Sequence, residues 1–366
     1  QVRLWQLEPA PRSYAVHGSK EGEFRSPRGH DILYFEQDGG TVGVLDLRTG
    51  AIQLARTARP RARLAGDPTG TRLAYRDLER HVSFIELQGS VERRLPLTVE
   101  MVGAAIEFSP DGKTLAFPGW KGIYLVDVAS LAARELPYPS GPIRDQTQLK
   151  VRRLQFSDDG RRIMSVGVDI ALWDLASGRA IAIPRRQPGP PSYVVGSRDL
   201  AVIAEGGAAG GLWLLDRAKG SWRRLLSTER EVFPIAFSPD GTRVAAGTDQ
   251  GQLRVWRVSD GARVEELVGH AGPIRRMEFA DDGRRLVSAG VDGAVRLWDL
   301  GTGQELRAIR AHSGREVEWV GFRGTDIVSA GRDGMARIWP PVARSPGPVA
   351  RLLDGLTSFR MDPGDN

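Results

Sequence analysis

The sequence predicts an all-β protein assembled from repeated four-stranded antiparallel units. Three observations carry that expectation. The phrase VRLW recurs along the chain at a nearly constant interval, short apolar runs alternate with turn signals, and glycine and proline are abundant, at 44 and 23 of 366 residues. Such turn residues between short strands favour β-structure over a few long helices.

The repeat sets the organisation. Placing the VRLW-like phrases in register gives anchors at Trp5, Leu45, Ile85, Val126, Trp173, Leu215, Trp256, Trp298 and Trp339. Successive anchors lie 40 to 42 residues apart except for one interval of 47, whose extra residues fall in the Pro-rich PYPSGPIRDQTQ at 137–148. A period of about 40 to 45 residues is that of a four-stranded propeller blade. The long interval reads as an enlarged surface loop.

Within each unit the strands follow from turn chemistry. IEFSPDGKTLAF, LQFSDDGRRIMSV, IAFSPDGTRVAAG and MEFADDGRRLVSAG, starting at 106, 154, 235 and 277, each give a strand, a turn and a second strand. Pro-Asp-Gly and Asp-Asp-Gly supply a preset φ, a carboxylate that bonds the backbone, and a glycine free to take positive φ. A second hairpin passes through Asp-Gly, as in SAGVDGAVRLWDL, and turns such as ASG, SDG or GTG lead to a fourth strand.

A polar set recurs inside two units: His270, Ser288, Asp292 and Trp298, then His312, Ser329, Asp333 and Trp339. An indole N–H only donates, hydroxyl and imidazole both accept and donate, and a carboxylate only accepts, so the four types make a complete relay. The unit near 149 keeps Ser165, Asp169 and Trp173 without the histidine.

On these residues the chain resembles the WD-repeat β-propeller family over essentially its whole length. The resemblance implies that the relay ties the inner hairpin to the loop preceding its blade. It also implies that partners dock where the strand starts and the Asp-bearing turns emerge. The matching positions are Arg152, Phe233, Arg275, Glu318 and Arg332, with Trp319 beside them. Cation, anion and aromatic are mixed there, which suits protein recognition.

Eight units contain all three strands before the anchor, starting near 22, 61, 101, 149, 190, 231, 270 and 311, with partial repeats at 1–20 and 355–366. One eight-bladed propeller spanning 1–366 is expected; the alternative is seven blades plus a unit of a neighbouring propeller. The opening VRLWQL at 2–7 reads as a third strand without its first two, and TSFRMDPGDN at 357–366 as a first strand and turn. The ends read as complementary fragments that either clasp the ring or belong to a longer array.

Several functions are excluded or disfavoured. Without cysteine there is no disulfide framework, thiolate metal site or cysteine nucleophile. Ser, His and Asp also compose a catalytic triad, but here they occur twice at repeat spacing with a tryptophan, and no G-x-S-x-G is present. EGGAAGG at 205–211 lacks a P-loop's Lys-Ser/Thr and reads as a loosened hairpin. His17, His30 and His81 have no metal-ligand spacing. Trp120, Trp213 and Trp222, outside the anchor position, are expected to pack between blades.

Net charge is +6, from 51 basic and 45 acidic residues, and only five of the basic residues are lysine. Arginine pairs such as Arg161-Arg162 and Arg284-Arg285 follow turns, and no aromatic interleaving marks a single-strand track, so nucleic acid is not the expected partner. The arginine bias suggests a GC-rich bacterial source. No apolar run approaches the roughly 20 residues of a membrane helix. The expected function is a non-catalytic platform for protein partners, without cofactor or metal. By resemblance it is the scaffold or sensor module of a larger cytoplasmic signalling, NTPase or kinase-linked protein, with other domains of the same parent chain as possible partners. Alternatives are a channel-based small-ligand binder or enzyme, and the structural half of a double propeller.

Overall fold

The computed structural model describes residues 11–16, 31–37, 41–56, 61–77, 81–89, 91–95, 103, 105–139, 141, 151–167, 169–184, 186, 193–207, 211–228 and 230–341. VRLWQL with Trp5, His17, His30, residues 140 and 142–148 of the Pro-rich stretch, and TSFRMDPGDN lie outside them.

The described strands form eight antiparallel sheets, the blades of an eight-bladed β-propeller, and no helix occurs among the described residues. Blade one shows Ile32–Gln37, Thr41–Asp46 and Ile52–Arg56. Blade two comprises Arg61–Gly66, Arg72–Asp77, Val82–Glu86 and Val91–Arg94. Blade three comprises Glu107–Phe108, Thr114–Pro118, Gly122–Asp127 and Ala133–Pro137. Blade four runs through Arg153–Phe156, Arg162–Val166, Ile170–Asp174 and Ala180–Ile183. Blade five is Tyr193–Gly196, Val202–Gly206, Leu212–Asp216 and Ser221–Leu226. Blade six is Val232–Phe237, Arg243–Thr248, Gln252–Arg257 and Arg263–Val268. Blade seven is Ile274–Phe279, Arg285–Gly290, Ala294–Asp299 and Gln304–Arg310.

Blade eight takes its first three strands, Val317–Arg323, Asp326–Gly331 and Met335–Trp339, from one end of the chain and its outermost, Arg12–Ala15, from the other. Arg12 pairs with Ile338 and Ala15 with Met335, and the Val16 amide donates to the Gly334 carbonyl at 2.8 Å. The N-terminal segment therefore closes the ring. Across the same seam Arg323 Nε lies 3.0 Å from Asp31 Oδ1, joining blade eight to blade one.

The core is not inside any one blade. Buried apolar side chains gather into eight clusters, each shared by two neighbouring blades. Between blades seven and eight, for example, Val287, Ala289 and Val295 pack on Val317, Ile327 and Trp339. Both faces of the two middle strands are thus buried, which explains their near-continuous apolar runs. Each fully buried aliphatic side chain contributes roughly 1.5 to 3 kcal/mol. Trp120, Trp222 and Trp319 pack against such clusters, while the Trp213 ring has the guanidiniums of Arg186 and Arg224 at 5.6 and 5.5 Å from its centroid.

The Ser-x-Asp turn joining the first two strands is built the same way four times. In blade three, Ser109 Oγ donates to Asp111 Oδ1 at 2.6 Å and accepts from the Thr114 amide at 2.9 Å. Ser157 with Asp159, Ser197 with Asp199 and Ser238 with Asp240 repeat the bond to the carboxylate. The fourth turn position is glycine at φ of +63° to +70° in Gly112, Gly160, Gly241 and Gly283, but Leu200 holds it at +56° in blade five.

Relief of backbone strain at Leu200 is of order 1 kcal/mol, whereas emptying a fully buried leucine site costs about 2 to 5 kcal/mol. Leu200→Gly should therefore lower stability by about 2 kcal/mol despite installing the usual turn residue, read from a urea midpoint. Val16→Asp, which places a charge in the seam cluster, should raise amide exchange at Met335–Ile338 at least tenfold while leaving blades three and four protected.

Candidate functional site

The innermost strands begin on one face of the ring, here termed upper, where the turns between second and third strands also emerge. Two relays anchor that face. In blade seven, Trp298 Nε1 donates to Ser288 Oγ at 2.9 Å, Ser288 Oγ lies 2.8 Å from His270 Nε2, and His270 Nδ1 is 3.0 Å from Asp292. Asp292 also accepts from the Ala271 amide at 3.0 Å, so it holds both the histidine and its loop. With the imidazole proton on Nδ1, every group in the chain has a matching partner.

Blade eight repeats the set: Trp339 Nε1 to Ser329 Oγ 2.9 Å, Ser329 Oγ to His312 Nε2 2.9 Å, and His312 Nδ1 to Asp333 Oδ1 2.8 Å. Here Arg337 Nη1 also donates to Asp333 Oδ2 at 2.6 Å. A Cβ on Gly290 would stand 2.9 Å from His270 Nδ1, and one on Gly331 2.6 Å from His312 Cγ. Glycine after Ser-Ala is what lets each ring lie against its strand. Ser288 and Ser329 are fully buried, so their hydroxyls serve the relay and meet no substrate.

The family model "WD domain, G-beta repeat" matches residues 235–257 and 261–299, the region of blade six and the first relay. Those residues of the propeller are WD repeats. The matched segment 261–299 begins before the outermost strand of blade six and ends with the third strand of blade seven, so the sequence repeat is offset from the blade by one strand.

Among similar proteins are the WD repeat-containing protein SL1-17 of Schistosoma mansoni, 30% identical over 30% of this chain and 37% of that protein. The probable serine/threonine-protein kinase PkwA of Thermomonospora curvata is 38% identical over 14% of this chain and 7% of its own. The chain spans between 6 and 49% of the length of the curated relatives it matches. Among solved structures, the computationally designed Ika8 protein superposes with a TM-score of 0.70 at 21% identity, over 89% of this propeller and 98% of that chain. WD-repeat propellers are generally non-catalytic and generally act as protein-interaction scaffolds.

Blade four shows how the propeller manages without the histidine. Asp169 is exposed, and Trp173 Nε1 donates to the Pro137 carbonyl of blade three at 3.1 Å rather than to Ser165. In blade five the position of the relay serine, two residues past the partner of the anchor, holds Glu205. Its buried carboxylate accepts from the Arg186 amide at 2.8 Å and so fastens the preceding loop directly. Glu205 stands at the start of EGGAAGG, where sequence reading sees only loose glycines.

Two further clasps escape sequence inspection. Gln155 Nε2 donates to the Gly196 carbonyl at 2.9 Å and its Oε1 accepts from the Gly196 amide at 3.0 Å, locking blade four to five. Glu278 Oε1 accepts from the Phe322 amide at 3.2 Å between blades seven and eight. Each sits one residue before the strand's buried phenylalanine.

The sequence-derived face residues all lie at starts of innermost strands or on an adjoining turn. The ladder slips between Val232 and Ile235, Ile274 and Arg276, and Val317 and Trp319, and the extra residues there include Phe233, Arg275 and Glu318. Bulges re-aim side chains. Arg275 Nε pairs with Glu316 Oε1 at 2.8 Å, Arg332 Nη1 with Glu316 Oε2 at 3.3 Å, and Arg332 Nε with Glu318 Oε1 at 2.9 Å. Burial raises the Glu318 carboxyl and Glu316 adds to it, against the lowering by Arg332. Arg152 and Phe233 lie on blades four and six, and Trp319 stands beside Glu318. Among the described residues no group of three or more His, Asp or Glu could hold a metal ion.

Burial drives both relay imidazoles below their ordinary value, outweighing the pull of Asp292 or Asp333. Burial raises the two carboxyls, but the Ala271 amide and His270 at Asp292, and His312 and Arg337 at Asp333, bring them to a net lowering. On unfolding each imidazole regains its ordinary affinity near pH 6.5. Stability from the neutral rings is therefore complete above about pH 6.5 and is lost as pH falls toward the folded values; the carboxylates add a second loss below about pH 4.

Accordingly, His270→Gln plus His312→Gln should be markedly less stable than wild type at pH 8, and the gap should narrow by pH 5, measured by denaturant titration at both values. Ser329→Ala leaves the Trp339 donor and the His312 acceptor unpaired in the core. It should cost about 3 kcal/mol by the same measurement.

Proposed function

We propose that this propeller is a non-catalytic protein-interaction platform whose upper face, over blades four to eight, receives the partner. The observation that carries this reading is the bulged innermost strands, which set Phe233, Arg275 and Glu318 out of register beside loops that the His270 and His312 relays hold still. Recognition residues on a fixed frame bind without a large ordering cost. The mixture of aromatic, cation and anion there fits a protein surface.

The likeness to part of PkwA supports a finer reading, in which the platform is the scaffold or sensor portion of a longer signalling protein. Docking then localises a partner, and the chemistry belongs to other domains or chains.

The test is cross-linked capture followed by mass spectrometry, comparing wild type with Phe233→Ala/Arg275→Ala/Arg332→Ala and with the lower-face control Arg161→Ala/Arg284→Ala. Thermal melts confirm that both variants fold. A partner captured by wild type and by the control, but reduced about tenfold by the upper-face variant, supports the platform. Equal capture by all three proteins overturns the placement on this face.

A further inference from the structure

The upper face is electrically uneven. On blades seven and eight Arg275, Glu316, Arg332 and Glu318 neutralise one another in a chain of ion pairs, while Arg276 and Arg315 are exposed and make no ion pair among the described residues. On blades four and five no such chain forms among the described residues, and at this face blade six holds the pair Arg230–Asp249 at 3.6 Å. Arg152 is exposed and makes no ion pair among the described residues, and Arg153 lies over the ring of Tyr193 at 5.3 Å instead of on a carboxylate. Tyr193 in turn meets Phe233 edge-on, with centroids 4.6 Å apart, so one half-buried aromatic step bridges blades five and six.

This arc is preorganised. The Gln155 amide fixes the innermost strands of blades four and five at 2.9 and 3.0 Å, within a few residues of Arg153 and Tyr193. Phe233 belongs to a strand packed into the cluster shared by blades five and six. A ligand meets a built surface of two guanidiniums beside an apolar step, with little ordering left to do.

We infer that the arc of Arg152, Arg153, Tyr193 and Phe233 docks an extended acidic peptide segment that carries an aromatic or large aliphatic residue. Carboxylates complement the two guanidiniums, and the apolar residue covers the Tyr193–Phe233 step. Single-stranded nucleic acid fits worse. Its bases need an open ring face, and Arg153 already covers the Tyr193 face while Phe233 abuts the ring. The acidic Glu316 and Glu318 also interrupt any phosphate track continuing past blade six. The inference rests on the platform reading and names the chemistry of its ligand.

The test uses the full chain and a short fluorescein-labelled peptide of Glu and Asp residues around a central Phe, with fluorescence anisotropy as readout. Controls are the same peptide with Lys at every acidic position and a labelled oligothymidine of equal length. The acidic peptide should bind, and raising salt from about 50 to about 300 mM should weaken it severalfold. Arg152→Glu should weaken it at least about tenfold and Phe233→Ala about fivefold, while the lower-face Arg284→Ala stays within about twofold.

No binding of the acidic peptide, equal binding of the Lys peptide, tighter binding of the oligothymidine, or an unchanged affinity for Arg152→Glu would each overturn the inference. Arg152 is exposed and outside the core, so its variant tests binding and not folding. Absent peptide binding with partners still captured sinks this inference alone. Peptide binding with capture unaffected by the upper-face variant leaves it standing and removes the broader platform reading.

Discussion

Everything in this molecule depends on apolar packing between neighbouring blades. A four-stranded sheet of 4- to 7-residue strands, such as Arg153–Phe156 to Ala180–Ile183 or Ile274–Phe279 to Gln304–Arg310, cannot bury two faces by itself. It finds a partner on each side, and the last sheet must find the first. The cluster joining Val16, Val328, Ala330 and Ile338 to Leu33, Phe35, Leu45 and Leu47 is that final contact. Without it two apolar faces would be bare. Exchange of an outermost strand between chain ends makes the closure cooperative, because loosening Arg12–Ala15 strips an edge from Met335–Trp339 and Val16 from the cluster together.

Within that constraint one position in the second strand decides how each blade is fastened. Two residues beyond the partner of the anchor it holds Phe35, Tyr75, Phe117, Ser165, Glu205, Ala246, Ser288 and Ser329 around the ring. Where it is serine with a histidine before the blade, the polar chain is complete. Ala246 and the two phenylalanines leave no polar group there at all, and Tyr75 sends its hydroxyl to Glu92. A half-filled relay orphans buried donors, at about 1 to 3 kcal/mol each, unless another acceptor takes them, as the Pro137 carbonyl takes the Trp173 indole in blade four.

This rule also explains what the sequence made legible. The fold follows from local signals, the 40-residue period and the Ser-x-Asp-Gly turns, each of which acts over a few residues. The full relays of blades seven and eight were visible because their four residue types recur at matched spacing. Glu205, Gln155 and Glu278 were not visible. Each reaches a backbone group beyond its own sheet or in a preceding loop, and single carboxylates and amides bonding backbone leave no partner residue type to recognise. The pairing of Arg275 and Arg332 with Glu316 and Glu318 was hidden similarly, since it depends on a one-residue slip that places alternate side chains on one edge.

The division of the upper face follows from the same physics. Blades seven and eight carry complete relays and a chain of ion pairs, so their loops are held from beneath by His270 and His312 and from above by Glu316 and Glu318. Exposed ion pairs of this kind add about 0 to 1 kcal/mol each, and their larger effect is to consume charges that a partner would otherwise meet. Blades four and five lack the histidine and are fastened by buried groups, Gln155, Trp173 and Glu205, that spend no surface charge. Their cations stay outward, with Arg152 in water and Arg153 on an aromatic ring. In blades four and five the repeat's polar signature is thus replaced by buried fastenings that leave the Arg152 guanidinium exposed.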